Sequence, residues 1–395
     1  MNTSPAASET VSPLHVYVIA GEPSGDIIGG RLIDALKAEG DVQVSGIGGP
    51  EMEAAGLRSL FPYGELAIMG LTEVLPSVLR ILKRMRQTAR DITRARPDII
   101  VTIDSPGFVF GVIRRLKNRD CPRVHYVAPT IWAWRAGRVK KFRKHFDHLL
   151  ALFPFEPPLF EAAGLDCTFV GHPIAEGAVR AGDGGAFRAR HGIGAEEKVL
   201  CLLPGSRRGE VVRLGPVTAR ALEAIVGKHP DVRIAVPAAP NVRADVDQMS
   251  GEWTHPVLVV DGAHERYDAF AAADLALAAS GTVTLELAYA GVPSVVMYRV
   301  GKVTGEIARR MIRIEHASIV NIVAGRLVFP EFLQSRCRPE KIAGAVIDLL
   351  DNPDAARAMG REAQKIAEEI AGDGEKPSVR AARAVRAIVA WDGTR

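Results

Sequence analysis

One carboxylate stands where a catalytic turn would need a proton acceptor. Asp104 directly follows the apolar run 98–103 and precedes a Ser-Pro-Gly turn. A partly desolvated aspartate can take the proton of an attacking hydroxyl when the two groups lie within hydrogen-bond reach. The pattern therefore predicts that Asp104 is a general base, and the structural alternative is the N-cap of the following helix.

A second turn near the start of the chain could bind a ligand. The run 20–26 reads Ala-Gly-Glu-Pro-Ser-Gly-Asp and joins an apolar run to a helical pattern. Its glycines permit close backbone approach and a helix N-terminus presents unpaired N–H groups, so it could hold a phosphate or a sugar. The predicted contacts are Glu22, Ser24, Gly25 and Asp26. The alternative is that Ser24 or Asp26 only caps the helix. The run matches neither GxGxxG nor a P-loop, so NAD and ATP are not supported.

Two turns in the second half of the chain predict a nucleotide site. In the run 202–210, a flexible glycine stands beside a hydroxyl and a guanidinium, which suits a diphosphate. The run 279–286 offers helix N-terminal amides and, one turn further on, a carboxylate that could accept both ribose hydroxyls. Helix capping explains either turn alone, but both together favour a nucleotide. The predicted contacts are Gly205, Ser206, Arg207, Ser280, Gly281, Thr282 and Glu286.

Two stretches predict contact with lipid. Residues 68–85 place apolar side chains at helical spacing beside several arginines and lysines, as in an interfacial helix. Residues 132–144 combine tryptophans with a cationic helical pattern, which suits lipid phosphates. The alternatives are ordinary core packing for the first stretch and a solvated helix face for the second. The predicted lipid contacts are Met69, Leu71, Val74, Leu75, Val78, Trp132, Trp134 and Arg135.

The composition argues against several classes of protein. The surplus of 50 basic over 46 acidic residues is too small and scattered to predict nucleic-acid binding. The four cysteines lie far apart and the ten histidines show no ligand spacing, so we predict no metal, no disulfide and a reducing cytoplasm. No run approaches the roughly 20 apolar residues of a spanning helix, and the N-terminus does not resemble a secretory signal. Any membrane contact is therefore expected to be peripheral.

The elements that must position these turns alternate between short apolar runs and helical patterns. Strands are predicted at 15–20, 98–103, 124–128, 148–153, 168–170, 199–203, 232–236, 257–260, 275–278 and 294–298. This rhythm predicts an α/β protein with doubly wound parallel sheets and ligands at the carboxyl ends of strands. We expect a Rossmann-like domain at 14–172, a linker at 173–197, a second Rossmann-like domain at 198–338 that faces the first across a cleft, and a helical tail at 339–395.

The same turns resemble those of the lipid-A-disaccharide synthases. The matching blocks are AGEPSGD at 20–26, MGLTEVL at 69–75, VTIDSPGF at 101–108, HYVAPTIWAWR at 125–135, LFPFE at 152–156, FVGHP at 169–173, LLPGSR at 202–207 and ASGTVTLE at 279–286. They occur in order over most of the chain. The resemblance implies a GT-B architecture, with the UDP held by the C-terminal domain and the acceptor approached by the N-terminal one.

The resemblance also implies a reaction. The 6-hydroxyl of 2,3-diacylglucosamine 1-phosphate (lipid X) would attack the anomeric carbon of UDP-2,3-diacylglucosamine, giving UDP and a β(1→6)-linked lipid A disaccharide 1-phosphate. Asp104 would be the base, Ser206 and Arg207 would hold the diphosphate, Glu286 the ribose, and Asn321 would be a further donor-side contact. No cofactor is implied. The expected setting is the inner membrane surface of a Gram-negative bacterium, on its cytoplasmic side, with dimerisation through the C-terminal portion.

Two other functions remain open from the sequence. A UDP-N-acetylglucosamine epimerase or a lipid-linked N-acetylglucosaminyltransferase would share the architecture, because fold alone does not decide function. A non-catalytic module that binds anionic lipid at a membrane surface is the other alternative. The apolar, cation-rimmed stretches argue against the epimerase, and the paired phosphate turns with Asp104 argue against the lipid-binding module.

Overall fold

The computed structural model describes residues 12–66, 74–129, 139–301, 316–372 and 374–392. Within it the chain forms two compact units. The N-terminal unit comprises Met1–Pro173 and Glu375–Arg395, and the C-terminal unit comprises Ile174–Gly374. The helical stretch from Pro339 is therefore divided, because its last helix belongs to the N-terminal unit.

The N-terminal unit is built on a six-stranded parallel sheet in the order β2-β1-β3-β4-β5-β6. Fully buried runs such as Ile99–Ile103 form its central strands, as expected when helices cover both faces. The strands are β1 Leu14–Ala20, β2 Val42–Ile47, β3 Ile99–Ile103, β4 Arg123–Tyr126, β5 His148–Ala151 and β6 Asp166–Phe169. The helices are α1 Pro23–Ala38, α2 Pro50–Ala54, α3 Val74–Ala95, α4 Pro106–Ile113, α5 Val139–Arg143, α6 Glu156–Glu161 and the final helix, α15 Pro377–Asp392, which packs against α1.

The C-terminal unit repeats this plan with a six-stranded parallel sheet in the order β12-β11-β10-β7-β8-β9. Its strands are β7 Val199–Leu203, β8 Arg233–Ala238, β9 Leu258–Asp261, β10 Leu275–Ala279, β11 Ser294–Tyr298 and β12 Glu331–Leu333. Its helices are α7 Gly184–Arg190, α8 Arg208–Lys228, α9 Arg243–Gly251, α10 Arg266–Ala272, α11 Thr282–Tyr289, α12 Ile319–Ala324, α13 Pro339–Asp351 and α14 Pro353–Ala371. The prediction of two doubly wound parallel sheets is confirmed.

Each sheet has one point where the strand order reverses, and ligands of such folds bind there. In the N-terminal unit this point lies between β1 and β3, where Ala20 pairs with Ile103. In the C-terminal unit it lies between β7 and β10, where Ala278 pairs with Leu203. The register therefore brings the turns after β1 and β3 to one level, and likewise those after β7 and β10.

Some predicted elements differ from those observed. Strands β2 and β12 lie at sheet edges, and the partly exposed sequence of β2 and the three-residue length of β12 hide them from a search for apolar runs. The stretch expected to be a linker contains α7, whose Phe187 is fully buried in the C-terminal unit. Short 3-10 helices occur at Tyr63–Leu66, Pro173–Glu176, Val179–Ala181, Pro240–Val242 and Gln334–Arg336.

The segments predicted to contact lipid lie largely outside the described residues. This applies to Met69, Leu71, Trp132, Trp134 and Arg135, whereas Val74, Leu75 and Val78 fall in the first turns of α3, where the backbone alone is described. Among the helices of the described ranges, none has the length and hydropathy needed to cross a membrane.

Candidate functional site

The turn after β3 holds Asp104 in a strained conformation. Asp104 and Ser105 have φ of 50° and 46°, in the left-handed region that residues other than glycine rarely adopt. The backbone N–H of Asp104 donates to the carbonyl of Tyr126 at 3.1 Å, and its Oδ1 accepts the N–H of Ser105 at 2.8 Å. Strain of this kind costs about 1–3 kcal/mol per residue and is concentrated at functional sites.

The neighbouring turn after β1 approaches Asp104 closely. A Cβ on Gly21 would lie 2.4 Å from Ser105 Oγ, so only glycine fits beside the β3 turn. The hydroxyl of Ser24 lies 3.5 Å from Asp104 Oδ2. Burial, and then the negative charge of Asp104, raise the pKa of Glu22. Glu22, Ser24 and Asp104 therefore share one polar patch at the switch point of the sheet.

Asp26 was predicted to contact ligand, but its carboxylate is committed to the fold. It is buried and accepts the backbone N–H groups of Gly49 at 2.7 Å, Glu51 at 3.0 Å and Met52 at 3.1 Å. These are the free amides at the start of α2, so Asp26 caps a helix 23 residues further along the chain rather than its own. The structure gives Asp26 this capping role, in which both carboxylate oxygens accept hydrogen bonds, and its contact with ligand stays a prediction.

Gly25 also serves packing. It is buried, and a Cβ there would lie 3.4 Å from both Ala20 Cβ and the Ile103 carbonyl. These distances are at the edge of ordinary van der Waals contact, so α1 is closely packed against β1 and β3 at this position.

The turn after β7 presents amides that converge on one carboxylate. Glu210 Oε2 accepts the N–H of Ser206 at 3.1 Å and that of Arg207 at 3.3 Å. Gly205 has φ of 130°, and Asn241 Nδ2 donates to the Ser206 carbonyl at 2.8 Å. The guanidinium of Arg207 lies 3.5 Å from Glu210 and is 81% exposed, so it is accessible to a ligand.

The turn after β10 is open at its tip. Gly281 and Thr282 are exposed at the start of α11, and a Cβ on Gly281 would meet nothing within 4 Å. Ser280 Oγ donates to the carbonyl of Ala317 at 3.1 Å, which anchors the turn. The start of α11 is therefore accessible, and the strand before it, β10, lies beside β7 in the sheet.

Glu286, one turn into α11, combines burial with an unused acceptor. Arg266 Nη2 lies 3.3 Å from Glu286 Oε1, while Glu286 Oε2 is buried without a hydrogen-bond partner among the described residues. Burial raises the pKa of Glu286, and the charge of Arg266 and a hydrogen bond with Tyr267 oppose that shift. A buried carboxylate oxygen without a donor is costly, so a ligand hydroxyl would stabilise it.

Asn321 was expected to contact the donor but is wholly used inside the protein. It is fully buried; Nδ2 donates to the Phe329 carbonyl at 2.9 Å and to Glu331 Oε1 at 2.8 Å. Its Oδ1 accepts the N–H groups of Val328 and Phe329 at 2.8 and 2.9 Å. The ligand-contact prediction is replaced by a role in joining α12 to β12, because the amide has no free donor or acceptor.

Three residues at these sites were missed by sequence reasoning. Glu210 could have been found, because a glutamate at the third helical position signals a capping box. Arg266, the partner of Glu286, has no local signal because it lies on another helix. Tyr63 has none either: its buried hydroxyl lacks a hydrogen-bond partner in the described part of the chain, and burial together with Asp26 and Glu22 raises its pKa to about 12.

Neither patch resembles a metal centre. Among the described residues, no group of three or more His, Cys, Asp and Glu side chains is arranged to hold a metal ion. The N-terminal unit offers the oriented carboxylate of Asp104, and the C-terminal unit offers the exposed guanidinium of Arg207 and the buried carboxylate of Glu286.

Comparison with known proteins decides between the families that share this architecture. The family model described as lipid-A-disaccharide synthetase matches residues 16–385. The chain belongs to this family. It is 47% identical over 383 residues to the lipid-A-disaccharide synthase of Rhodospirillum centenum, covering 96% of each chain. It is 48% identical over 377 residues to that of Paramagnetospirillum magneticum, covering 94% of this chain and 96% of the relative.

Solved structures agree on the fold of this lipid-A-disaccharide synthetase family member. A UDP-GlcNAc 2-epimerase from Neisseria meningitidis, bound to UDP-GlcNAc, matches with a TM-score of 0.61 at 13% identity and covers 90% of this chain and 98% of its own. At that identity the likeness concerns the fold alone. The GT-B fold predicted from the resemblance is confirmed.

Proposed function

We propose that this chain transfers 2,3-diacylglucosamine from UDP-2,3-diacylglucosamine to the 6-hydroxyl of 2,3-diacylglucosamine 1-phosphate. The new bond joins the acceptor oxygen to the anomeric carbon with inversion, and the bond from that carbon to the UDP oxygen breaks. The proton of the hydroxyl leaves to the enzyme and UDP departs as the anion. The observation that carries the proposal is the strained Asp104 turn at a switch point, in a chain that belongs to this family.

Asp104 is the proton acceptor in this scheme. Its Oδ1 is held by the Ser105 amide, so the side chain is oriented, and Oδ2 lies toward Ser24. A fixed carboxylate at hydrogen-bond distance from the hydroxyl contributes about 10²–10⁴ in rate by general base catalysis. Ser24 and Glu22 are suited to hydrogen bonds with the acceptor sugar, since both are exposed beside the base.

The C-terminal unit binds the nucleotide in this scheme. Glu210 takes the amides of Ser206 and Arg207, so the Ser206 hydroxyl and the Arg207 guanidinium would hold the diphosphate. The exposed guanidinium of Arg207 and the amides at Gly281 and Thr282 would stabilise the charge that develops on departing UDP. Glu286 would accept the ribose hydroxyls through its unused Oε2, while Arg266 favours its ionised form.

The lipid parts of both substrates imply work at a membrane surface. The stretches 68–85 and 132–135 supply apolar side chains and tryptophans beside cations, the composition of an interfacial contact. We propose peripheral association with the cytoplasmic face of the inner membrane, and a homodimer formed through C-terminal helices.

The test is UDP release by the purified chain in mixed micelles with and without the acceptor. Release that requires both substrates and yields a disaccharide supports the transferase, and release without acceptor would favour an epimerase-like reaction. Asp104→Asn should lose about 100-fold or more in turnover while UDP affinity stays the same. The matched control is Asp34→Asn, an exposed aspartate on α1, which should keep full turnover. Equal turnover in the two variants would exclude Asp104 as the base.

A further inference from the structure

A cavity lies at the opposite edge of the N-terminal sheet from Asp104. It has a volume of about 1090 Å³ and is lined by the second half of α3, the amino ends of β3 and β4, the chain that leads into β4, and Val389 of α15. Asp98, on its wall, precedes β3, whereas Asp104 follows that strand. At about 3.3 Å per residue, some 20 Å of strand separates the two aspartates.

The walls of this cavity concentrate positive charge. Its two carboxylates are Asp98 and Asp120, and Asp98 is already engaged because it accepts the backbone N–H of His15 at 2.7 Å. The local surplus is four positive charges, as large as the formal net charge of the whole chain. The cationic residues that line it are Arg86, Arg90, Arg96, Arg115, Lys117 and Arg123.

The buried side chain of Arg123 distinguishes this cavity from an ordinary solvated basic surface. Arg123 is only 4% exposed, and its Nη2 donates to the carbonyl of Asn118. Its Nε, however, is buried and has no hydrogen-bond partner among the described residues. Burying a charged donor without an acceptor is costly, so an anionic oxygen in the cavity would stabilise it.

The charges that act on the neighbouring His145 are positive as well. The pKa of His145 is lowered by burial and then by Arg114, Arg119, Arg123 and Lys144. The acidic neighbour Asp147 is paired with Arg119 at 2.8 Å and accepts the N–H of Arg123 at 3.0 Å. Both oxygens of Asp147 are therefore already engaged, one by Arg119 and one by the backbone of Arg123.

We propose that this cavity is a second ligand site, which binds a phosphate-bearing anion. Arginine guanidiniums match phosphate oxygens in pairs of parallel hydrogen bonds, and at least two of the lining arginines, Arg86 and Arg90, lie one turn apart on the same face of α3. The cavity is larger than inorganic phosphate requires and has an apolar floor that includes Ala89, Ile92 and Val389. A phosphate ester with an organic part fits this combination, whether a soluble metabolite or the headgroup of an anionic phospholipid.

The first arm of the test uses inorganic pyrophosphate as a soluble probe. Binding to the full chain is measured by calorimetry with saturating UDP present, so that the predicted nucleotide turns are occupied. The cavity variant is Arg90→Glu with Lys117→Glu, both exposed, and the control is Arg220→Glu with Lys341→Glu, exposed on α8 and α13. The cavity variant should bind pyrophosphate about tenfold or more weakly, while the control with the same net charge binds like the parent.

The second arm uses vesicles of phosphatidylcholine with and without phosphatidylglycerol, followed by co-sedimentation. If the cavity variant, and not the control, loses binding to the vesicles, the ligand is a lipid headgroup. If the cavity variant loses pyrophosphate binding but keeps vesicle binding, the ligand is a soluble phosphate. UDP affinity must be equal in all variants, which shows that they fold. The proposal is overturned if neither probe binds the parent chain, or if the control variant loses binding as much as the cavity variant.

Discussion

The carboxylate of Glu210 accepts the backbone N–H of Ser206 at 3.1 Å, four residues before it in the chain. The same oxygen accepts the N–H of Arg207 at 3.3 Å. One side chain on the first turn of α8 thus shapes the turn from which the nucleotide is proposed to be bound, and the amides are held in position before any ligand arrives.

Replacing Glu210 with alanine should destabilise the C-terminal unit. Loss of a helix-capping acceptor costs about 1 kcal/mol, and the freed amides lose their fixed orientation. Glu210→Gln keeps an acceptor oxygen and should cost less. The measurement is the urea concentration at the midpoint of unfolding. The control is Glu223→Ala, at an exposed position of α8, which should not lower that midpoint. Equal midpoints for Glu210→Ala and Glu223→Ala would contradict the capping role.

Asp26 and Ser24 share one turn but should respond differently to truncation. Asp26→Ala leaves three amides at the start of α2 without their acceptor, so we expect a loss of about 3 kcal/mol in the free energy of unfolding. Ser24→Ala, on the exposed side of the turn, should leave stability unchanged and affect turnover alone. Urea titration and a turnover assay on both variants separate the roles. A stable Asp26→Ala variant with weakened substrate binding would contradict the capping role and favour a ligand contact for Asp26.

Asn321 should not tolerate conversion to aspartate. The change replaces an N–H donor with a second carboxylate oxygen facing Glu331 Oε1 and the Phe329 carbonyl, in a fully buried place. An uncompensated buried charge costs about 3–5 kcal/mol, so the melting temperature should fall sharply. Asn352→Asp, exposed at the end of α13, is the matched control and should melt like the parent. Similar melting of both variants would show that Asn321 is not a structural link.

His125 should make stability depend on pH. Burial lowers its pKa to about 3 from an ordinary value of 6.5, so below about pH 6 the unfolded chain binds a proton that the folded chain refuses. The stability that neutral His125 contributes is fully present above pH 6.5, the pKa of His125 in the unfolded chain. It is lost at about 1.4 kcal/mol per pH unit as the pH falls toward about 3, the pKa of His125 in the folded chain.

His125→Phe tests this because phenylalanine suits the packing against Phe142 and Phe146, while Thr102 keeps its bond to the Val124 carbonyl. Urea titrations between about pH 6 and 4 give the free energy of unfolding at each pH. Its slope against pH should be shallower in the variant than in the parent by about 1.4 kcal/mol per pH unit, which corresponds to one proton. An unchanged slope in His125→Phe would mean that His125 takes up its proton in the folded chain.

Glu286→Gln should weaken nucleotide binding through the ribose. If Glu286 accepts the ribose hydroxyls, the loss of its charge should reduce UDP affinity about tenfold. Binding of 2′,3′-dideoxy-UDP, which lacks those hydroxyls, should be the same for the parent and the variant. Calorimetry with both nucleotides makes the comparison, and an equal loss for the two would assign Glu286 a purely structural function.

Much of the architecture could be read from the sequence because the deciding features are local. Buried parallel strands such as β3 and β7 are continuous apolar runs, and the turns after them carry glycines and polar residues within a few positions. Strand β2 was hidden because its residues are only partly buried at a sheet edge, and it follows no simple apolar pattern. Glu210 was recoverable, since its capping partners lie within four residues.

The roles of individual polar residues depend on contacts with segments distant in the sequence. Asp26 and Asn321 stand in turns or helices like those of ligand-binding residues, but Asp26 meets amides of residues 49–52 and Asn321 meets residues 328–331. Arg266 reaches Glu286 from another helix, and the cations of the basic cavity come from separate segments.

The sequence by itself determined the class of fold, the family and the turns where chemistry could occur, because periodicity and short motifs are carried by neighbouring residues. Only the tertiary structure decided which polar groups in those turns are consumed by the fold and which remain free. A buried donor or acceptor must find a partner, and the fold alone determines which distant segment supplies it.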